Sequence, residues 1–194
     1  MNLIRDKFSR RKLLKGSLLG AVAASIPMGA KAAQWAFAHT NSRVRPTVGR
    51  ELSFFNVHTG ERLRTTYFEN GKYVPGALLE VNHFFRDFRA NEVRVIDPRL
   101  LDLLFRIHGA LDTSQPFNLI SGYRSPATNA WLAGQSEGVA RHSLHMYGMA
   151  SDINVQGRSL VLLQMVALAM RGGGVGFYPH SVFVHVDTGR VRRW

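Results

Sequence analysis

The fold and the chemistry of this chain are both indicated by one stretch of ten residues, Ser143-Leu144-His145-Met146-Tyr147-Gly148-Met149-Ala150-Ser151-Asp152. We expect His145 to lie at the end of a loop, because Gly148 three residues later allows the backbone to turn into a strand. Asp152 then projects from one face of that strand. The stretch therefore places two metal-binding residue types where one loop meets one strand.

A second stretch, Phe183-Val184-His185-Val186-Asp187, is typical of another strand. His185 and Asp187 are two residues apart and share a face, because side chains alternate along a strand. If the two strands pair, His145, Asp152 and His185 can converge on one ion.

Two imidazoles and one carboxylate suit Zn²⁺. Three protein ligands leave a fourth position for water, which is the arrangement of a catalytic site and not of a closed structural one. The chain has no cysteine, so disulfides, thiol catalysis and thiolate metal sites are all excluded. The pattern predicts a zinc hydrolase.

The formal charge of +12 is concentrated near the amino terminus, where residues 1–32 hold seven of the 25 basic but only one of the 13 acidic residues. The remaining chain would carry +6 and would be attracted to polyanions. It has no long basic run, so we expect no nucleic-acid partner. Acidic peptidoglycan and other wall polymers fit this charge at least as well.

The first residues resemble an export signal. Ser9-Arg10-Arg11-Lys12-Leu13-Leu14-Lys15 is a twin-arginine pattern, residues 16–26 form an apolar run too short to span a bilayer well, and Ala30-Lys31-Ala32 resembles a cleavage site. We predict a twin-arginine signal peptide at 1–32, an irregular lead-in at 33–50 and one catalytic domain at 51–194. The mature protein is expected to be periplasmic, without a stable membrane span, and monomeric.

The pattern of apolar residues and turn residues predicts an α+β domain, in which a small antiparallel sheet carries helices on one side. Phe84, Phe85 and Phe88 have helical spacing and are expected in the core. The expected strands are 51–55, 62–68, 117–123, 148–155, 175–178 and 183–187, and the expected helices are 78–89, 98–111, 126–134 and 159–171.

The pattern Ser143-x-His145-x-x-Gly148-x-Ala150-x-Asp152, followed by His185, resembles the signature of the LAS zinc metallopeptidases. That group includes lysostaphin, the D-Ala-D-Ala peptidases and the hedgehog domain. Four further stretches resemble the periplasmic murein endopeptidases of the group, so that the similarity runs from about residue 50 to residue 194. They are 82–89, Ser121-Gly122-Tyr123-Arg124-Ser125, 173–179 and 183–189.

The resemblance implies the LAS/hedgehog-type fold, a Zn²⁺ ion on His145, Asp152 and His185, and peptidoglycan as the substrate. It also implies that Arg124 contacts a substrate carboxylate or the developing oxyanion, for which an arginine at a strand end is suited. The expected activity is that of a zinc-dependent murein endopeptidase, which hydrolyses amide bonds in peptide cross-links.

The general base is the point at which the chain departs from the family pattern. Several relatives carry an acidic residue or a histidine three positions before the last zinc ligand, where this chain has Val182. His142, His180 and Asp187 are the nearby candidates, and the sequence does not rank them. Asp187 has a second reading, in which it orients a zinc-binding histidine.

Two other functions stay open at this point. One is a non-catalytic zinc-containing module that binds peptidoglycan, since the hedgehog domain keeps its zinc while serving as a ligand. The other is a carboxypeptidase that trims stem peptides. The sequence also leaves open whether 3-3 or 4-3 cross-links are cut.

Overall fold

The computed structural model describes residues 49–135 and 138–194, and these residues form four α-helices and one eight-stranded sheet. The strand order is β3-β2-β1-β4-β5-β7-β6-β8. The elements are β1 (Arg50–Asn56), β2 (Arg62–Glu69), β3 (Lys72–Tyr73), α1 (Pro75–Phe84), α2 (Pro98–Ala110), β4 (Phe117–Ser121), α3 (Pro126–Gln135), a 3-10 helix (Leu144–Tyr147), β5 (Ala150–Val155), α4 (Leu160–Met170), β6 (Gly174–Tyr178), β7 (Phe183–Asp187) and β8 (Arg192–Arg193).

The α+β class predicted from the sequence is confirmed, but the sheet is larger than expected and mixed. The strand pairs β1–β4 and β6–β8 are parallel. A parallel pair needs a long crossover, and the chain between β1 and β4 supplies one through β2, β3, α1 and α2. Strand β8 has only two residues, which is too short to leave an alternating pattern in the sequence.

The hydrophobic core lies on one face of the sheet. Helix α2 packs on β1 and α4, and α4 packs on β6 and β7. In β7, Val184 and Val186 belong to this core. Because side chains alternate along a strand, His185 and Asp187 point to the opposite face. The sheet therefore separates the core from the side chains predicted to bind a metal.

The first helix begins and ends earlier than the sequence predicts. It starts at Pro75, whose fixed φ suits the first helical turn, and it ends at Phe84. The chain then bends through a bridge between Asp87 and Glu92. The expectation that Phe88 is a core residue is wrong: its ring is partly exposed and stacks on His58 at a centroid distance of 4.5 Å.

The predicted signal peptide and residues 33–48 of the lead-in lie outside the described residues. Among the described residues, none of the helices has both the length and the apolar character that crossing a bilayer requires.

Candidate metal centre

Two paired strands and one short turn bring the three predicted ligands together. Asp152 in β5 lies directly opposite His185 in β7 in the antiparallel register. His145 lies in the 3-10 helix, where the Ser143 hydroxyl accepts a hydrogen bond from the His145 backbone N–H and Gly148 ends the turn with a left-handed φ of 67°. One ligand atom from each of these three side chains lies within 4.8 Å of the others, and all three residues are buried.

Each of the two histidines uses one ring nitrogen for a supporting hydrogen bond and directs the other towards the shared centre. Nδ1 of His145 lies 2.6 Å from the Gly122 carbonyl oxygen, which can only accept, so this nitrogen carries the proton. Nε2 of His185 donates to Asp187 Oδ2 at 3.1 Å in the same way. The other two nitrogens, Nε2 of His145 and Nδ1 of His185, lie 3.1 and 2.9 Å from Asp152 Oδ1 and 3.1 Å from each other.

These distances fit a metal ion. Zinc bonds of about 2.0–2.2 Å in a tetrahedron place neighbouring ligand atoms about 3.3–3.6 Å apart. The three donor atoms form a triangle with sides of 3.1, 2.9 and 3.1 Å, slightly smaller than that.

The protonation states of His145 and Asp152 suit metal binding. Burial lowers the pKa of His145 and keeps its ring neutral. Burial alone would raise the pKa of Asp152, but His145 and His185 outweigh it and hold this pKa far below its ordinary value. Burial would likewise lower the pKa of His185, and its hydrogen bonds with Asp152 and Asp187 raise it instead. Asp152 is thus a carboxylate that attracts positive charge to the centre.

Asp187 is a buried carboxylate whose oxygens are fully engaged. Besides His185, it accepts from the backbone N–H groups of Gly174 at 2.9 Å and Gly189 at 2.8 Å. Two nitrogens of Arg192 donate to it at 3.0 and 2.7 Å. Burial would raise the pKa of Asp187, but the bonds with His185 and Arg192 hold it well below its usual range. These contacts match an orienting role better than that of a proton acceptor.

Arg124 also acts on a ligand. Its Nη2 donates to Asp152 Oδ2 at 3.0 Å and its Nε donates to Ser121 Oγ at 3.2 Å. The guanidinium fixes the outer carboxylate oxygen, so that Oδ1 faces the two histidines. Arg124 also lines the cleft above the centre, where a substrate would lie.

That cleft has a volume of about 320 Å³. His142 lines it, together with the three ligands, and its side chain is exposed. His180 is exposed in the turn between β6 and β7 and is not among the lining residues. Of the candidate proton acceptors, His142 is the one that lines the cleft.

Sequence reasoning gave no site role to Tyr178, Arg192 and Trp194, whose large side chains line the cleft. The Trp194 and His185 ring centroids are 5.3 Å apart, and the Arg192 guanidinium lies 4.7 Å from the Trp194 ring centre. Arg192 and Trp194 are brought to the cleft by β8, which pairs Arg192 and Arg193 with β6 and is too short to leave a pattern in the sequence.

The spacing of a serine-hydrolase elbow also occurs, as Gly134-Gln135-Ser136-Glu137-Gly138. That elbow requires a strand before the serine. Here helix α3 precedes it, so the context of the motif is missing.

A family model described as "Peptidoglycan L,D-endopeptidase MepK" (Peptidase_M15_2) matches residues 45–194. The protein of that name from Escherichia coli K12 is 46% identical over 193 residues, which cover 97% of this chain and 100% of that protein. The "Probable peptidoglycan L,D-endopeptidase MepK" of Haemophilus influenzae is 40% identical over 146 residues, or 75% of this chain and 78% of that protein.

Among solved structures, the L-Ala D-Glu endopeptidase ChiX of Serratia marcescens aligns with a TM-score of 0.32 and 19% identity. The alignment covers 49% of this chain and 68% of that one.

Proposed function

The chain belongs to the peptidoglycan L,D-endopeptidase MepK family, and from this we propose that it cuts peptidoglycan cross-links with a Zn²⁺ ion held by His145, Asp152 and His185. The observation that carries the proposal is the convergence of two imidazole nitrogens and one carboxylate oxygen at the floor of an open cleft. A peptidase of this family acts on an amide bond, and such a bond must reach these three side chains.

Zinc is the metal that suits this donor set best, because imidazole and carboxylate ligands in a three-residue site are typical of catalytic zinc. When bound, the ion supplies Lewis acidity towards the substrate carbonyl and lowers the pKa of water. The protein keeps the donors in place: the Gly122 backbone carbonyl fixes the His145 ring, the Asp187 carboxylate fixes the His185 ring and the Arg124 guanidinium fixes the Asp152 carboxylate.

Arg124 has a second role in the proposal. Its guanidinium lines the cleft while bonded to Asp152, so its positive charge is next to the position where the amide carbonyl must lie. The oxygen of that carbonyl gains negative charge as the tetrahedral intermediate forms. A fixed cation there stabilises the developing charge without reorganisation.

We assign proton transfer to His142. Hydrolysis breaks the amide C–N bond, adds the oxygen of water to the carbonyl carbon and moves a proton to the leaving amine. An acceptor must lie in the cleft and have a free choice of partners, and the exposed His142 meets both conditions. Asp187 is already saturated, and His180 does not line the cleft.

The names of the relatives supply the bond class. Each is called an L,D-endopeptidase. We therefore propose that this chain cuts the amide between an L-centre carbonyl and a D-centre amine, which in a cell wall is the 3-3 cross-link between two diamino acids. Peptidoglycan lies outside the cytoplasm, and we propose that the twin-arginine segment exports the protein to the periplasm.

The test is digestion of purified peptidoglycan followed by muropeptide analysis. We expect 3-3 cross-linked dimers to fall and monomers to rise, and a chelator or His145→Ala to stop this. His83→Ala is the matched control, because His83 is exposed and lies outside the cleft. Intact dimers with trimmed stems would mean a carboxypeptidase, and binding without any product would mean a binding module.

The proton-transfer role has its own comparison. We expect His142→Ala to lower kcat by about 100-fold, the lower range for a general base, while His180→Ala stays near wild type. Equal activity of the two variants would exclude His142.

A further inference from the structure

One side of the cleft is aromatic. Tyr178, Phe183 and Trp194 all line it, and we call these three residues the aromatic wall. The rings of Tyr178 and Phe183 stack at a centroid distance of 4.6 Å. Trp194 completes the wall beside the metal ligand His185, with 49% of its surface exposed. Nothing in the arrangement of the metal ligands requires such a surface.

Trp194 is held in one orientation. Its backbone N–H donates to the Val175 carbonyl at 3.2 Å, and its carbonyl accepts from Phe177 N–H at 3.1 Å. Its indole Nε1–H donates to the Tyr178 hydroxyl at 2.7 Å. The Arg192 guanidinium packs on the ring as well. A side chain with this many restraints presents its exposed face to the cleft without further ordering.

Gly176 makes room for the ring. It lies opposite His185 in the β6–β7 register. A Cβ atom at this position would lie 2.7 Å from Cε2 of Trp194 and 2.8 Å from Cε2 of Tyr178, closer than real contacts allow. Only glycine therefore lets both rings lie against the strand beside the metal ligand.

The surface of the wall is apolar. The only donor of the indole is used by Tyr178, and the stacked rings of Tyr178 and Phe183 add hydrocarbon-like faces. The Trp194 ring lies next to the metal ligand His185, since the centroids of the two rings are 5.3 Å apart. Whatever touches it belongs to the residue next to the amide that is cut, and a glycan strand several residues away does not reach it.

We propose that the aromatic wall, through Trp194, binds the hydrocarbon chain of the diamino acid that supplies the amine of the cross-link, and so sets the substrate specificity of the site. The inference rests on the proposed endopeptidase function. In diaminopimelate three methylene groups separate the two charged centres, and an apolar ring face beside the metal gives them a place to bury. Each methylene moved from water is worth about a fourfold gain in affinity.

The experiment compares two synthetic dimers on the full chain. One is the 3-3 cross-linked dimer, and the other has 2,3-diaminosuccinate in place of the acceptor diaminopimelate, which removes the three methylenes and keeps both carboxylates. We expect Trp194→Ala to lower kcat/KM on the first dimer by about 10- to 50-fold and to leave the low rate on the second unchanged. Trp194→Phe should keep most of the activity.

Trp131→Ala is the matched control, because Trp131 is also about half exposed (54%) but lies outside the cleft. Gly176→Ala should mimic Trp194→Ala and add nothing further when combined with it. Zinc content and thermal unfolding are measured on every variant, and we expect Trp194→Ala to match wild type in both.

Three results overturn the inference. Equal losses on both dimers would mean that Trp194 acts on the centre and not on the hydrocarbon chain. Loss of zinc from Trp194→Ala would mean that it supports His185. A wild-type protein that leaves the 3-3 dimer intact would overturn the proposed function itself, and the inference with it.

Discussion

At the scale of single residues, Asp187 connects the proposed metal centre to the rest of the fold. It accepts hydrogen bonds from His185, from Arg192 and from two backbone N–H groups. Carboxylates that orient a metal-binding histidine typically contribute 10- to 100-fold to affinity. We expect Asp187→Asn to weaken zinc binding by about that factor, as measured by titration against a competing chelator.

The control for this substitution is Asp97→Asn. Asp97 caps helix α2 by accepting from Arg99 N–H, and asparagine caps helices equally well. The zinc affinity of the Asp97→Asn protein should equal that of wild type. An Asp187→Asn protein that binds zinc as tightly as wild type would contradict the orienting role.

Asp87 permits a prediction about pH. Burial would raise the pKa of its carboxyl, but hydrogen bonds from Thr128 and Ser125 outweigh burial and lower it. The Ser125 and Arg89 backbone N–H groups donate to it at 2.9 and 3.0 Å. A lowered pKa in the folded state means that the stabilisation is complete above about pH 4 and is lost as the pH falls through the folded-state pKa.

We expect Asp87→Asn to lower the free energy of unfolding by about 1–3 kcal/mol at pH 7. This difference from wild type should become smaller below pH 4. Urea unfolding from pH 3 to pH 7, with a chelator present, measures both. Asp112→Asn serves as the control, since the Asp112 side chain is exposed and asparagine tolerates its φ of 48°. A difference in unfolding free energy that stays constant from pH 3 to pH 7 would exclude the Asp87 carboxyl as the cause of the pH dependence.

The residue scale also marks where sequence reasoning works. His145, Asp152 and His185 could be predicted because the two-residue period of a strand and one glycine turn determine which way each side chain points. Arg192 and Trp194 could not be predicted, because they reach the cleft through a strand of two residues that pairs with β6. So short a strand leaves no periodicity to read.

At the scale of elements, the turn between His145 and β5 depends on Gly148. This residue has a φ of 67°, and a Cβ there would collide with the Val95 carbonyl. We expect Gly148→Ala to lower the free energy of unfolding by at least about 2 kcal/mol, because the left-handed backbone and the collision both disfavour alanine. Chemical denaturation gives the value directly.

Gly109 is the matched control position, where alanine is expected to raise the stability of the protein and not to lower it. It lies in α2, where an added Cβ would meet nothing within 4 Å. Gly109→Ala should therefore stabilise the protein by about 0.5–1 kcal/mol. If both alanine variants changed stability equally, the special backbone of Gly148 would have no part in it.

Strand and helix types were largely predictable, whereas the sheet's connectivity was not. Asp97-Pro98 identified the start of α2 because a capping carboxylate before proline has one physical meaning. The parallel pairing of β1 with β4 leaves no such local trace, since β2, β3, α1 and α2 separate the two strands in the sequence.

At the scale of the whole molecule, the proposed metal centre can form only in the folded chain. Its ligands come from a turn and two strands, and one supporting carbonyl comes from Gly122 after β4. A ligand that binds the folded state alone stabilises it, by about 2.7 kcal/mol at 100 times its Kd. We expect zinc to raise Tm by about 5–10 °C over the chelated protein.

Thermal unfolding with zinc and with a chelator measures that shift. His145→Ala should unfold at the same temperature in both, because it lacks one of the three ligands. A wild-type protein whose Tm ignores the metal would contradict a zinc centre at this place.

The dependence of metal binding on folding is also relevant to export. The proposed centre would take up its metal only after folding, and the proposed twin-arginine route carries folded proteins, so the two proposals agree with each other. We expect Arg10→Lys with Arg11→Lys to leave an unprocessed precursor in the cytoplasm, whereas Arg43→Lys with Arg45→Lys, beyond the predicted cleavage site, is processed normally. Immunoblots of fractionated cells separate precursor from mature protein. Normal processing of the Arg10 and Arg11 variant would mean that the chain leaves the cytoplasm by another route, and the coupling of metal uptake to export would fall with it.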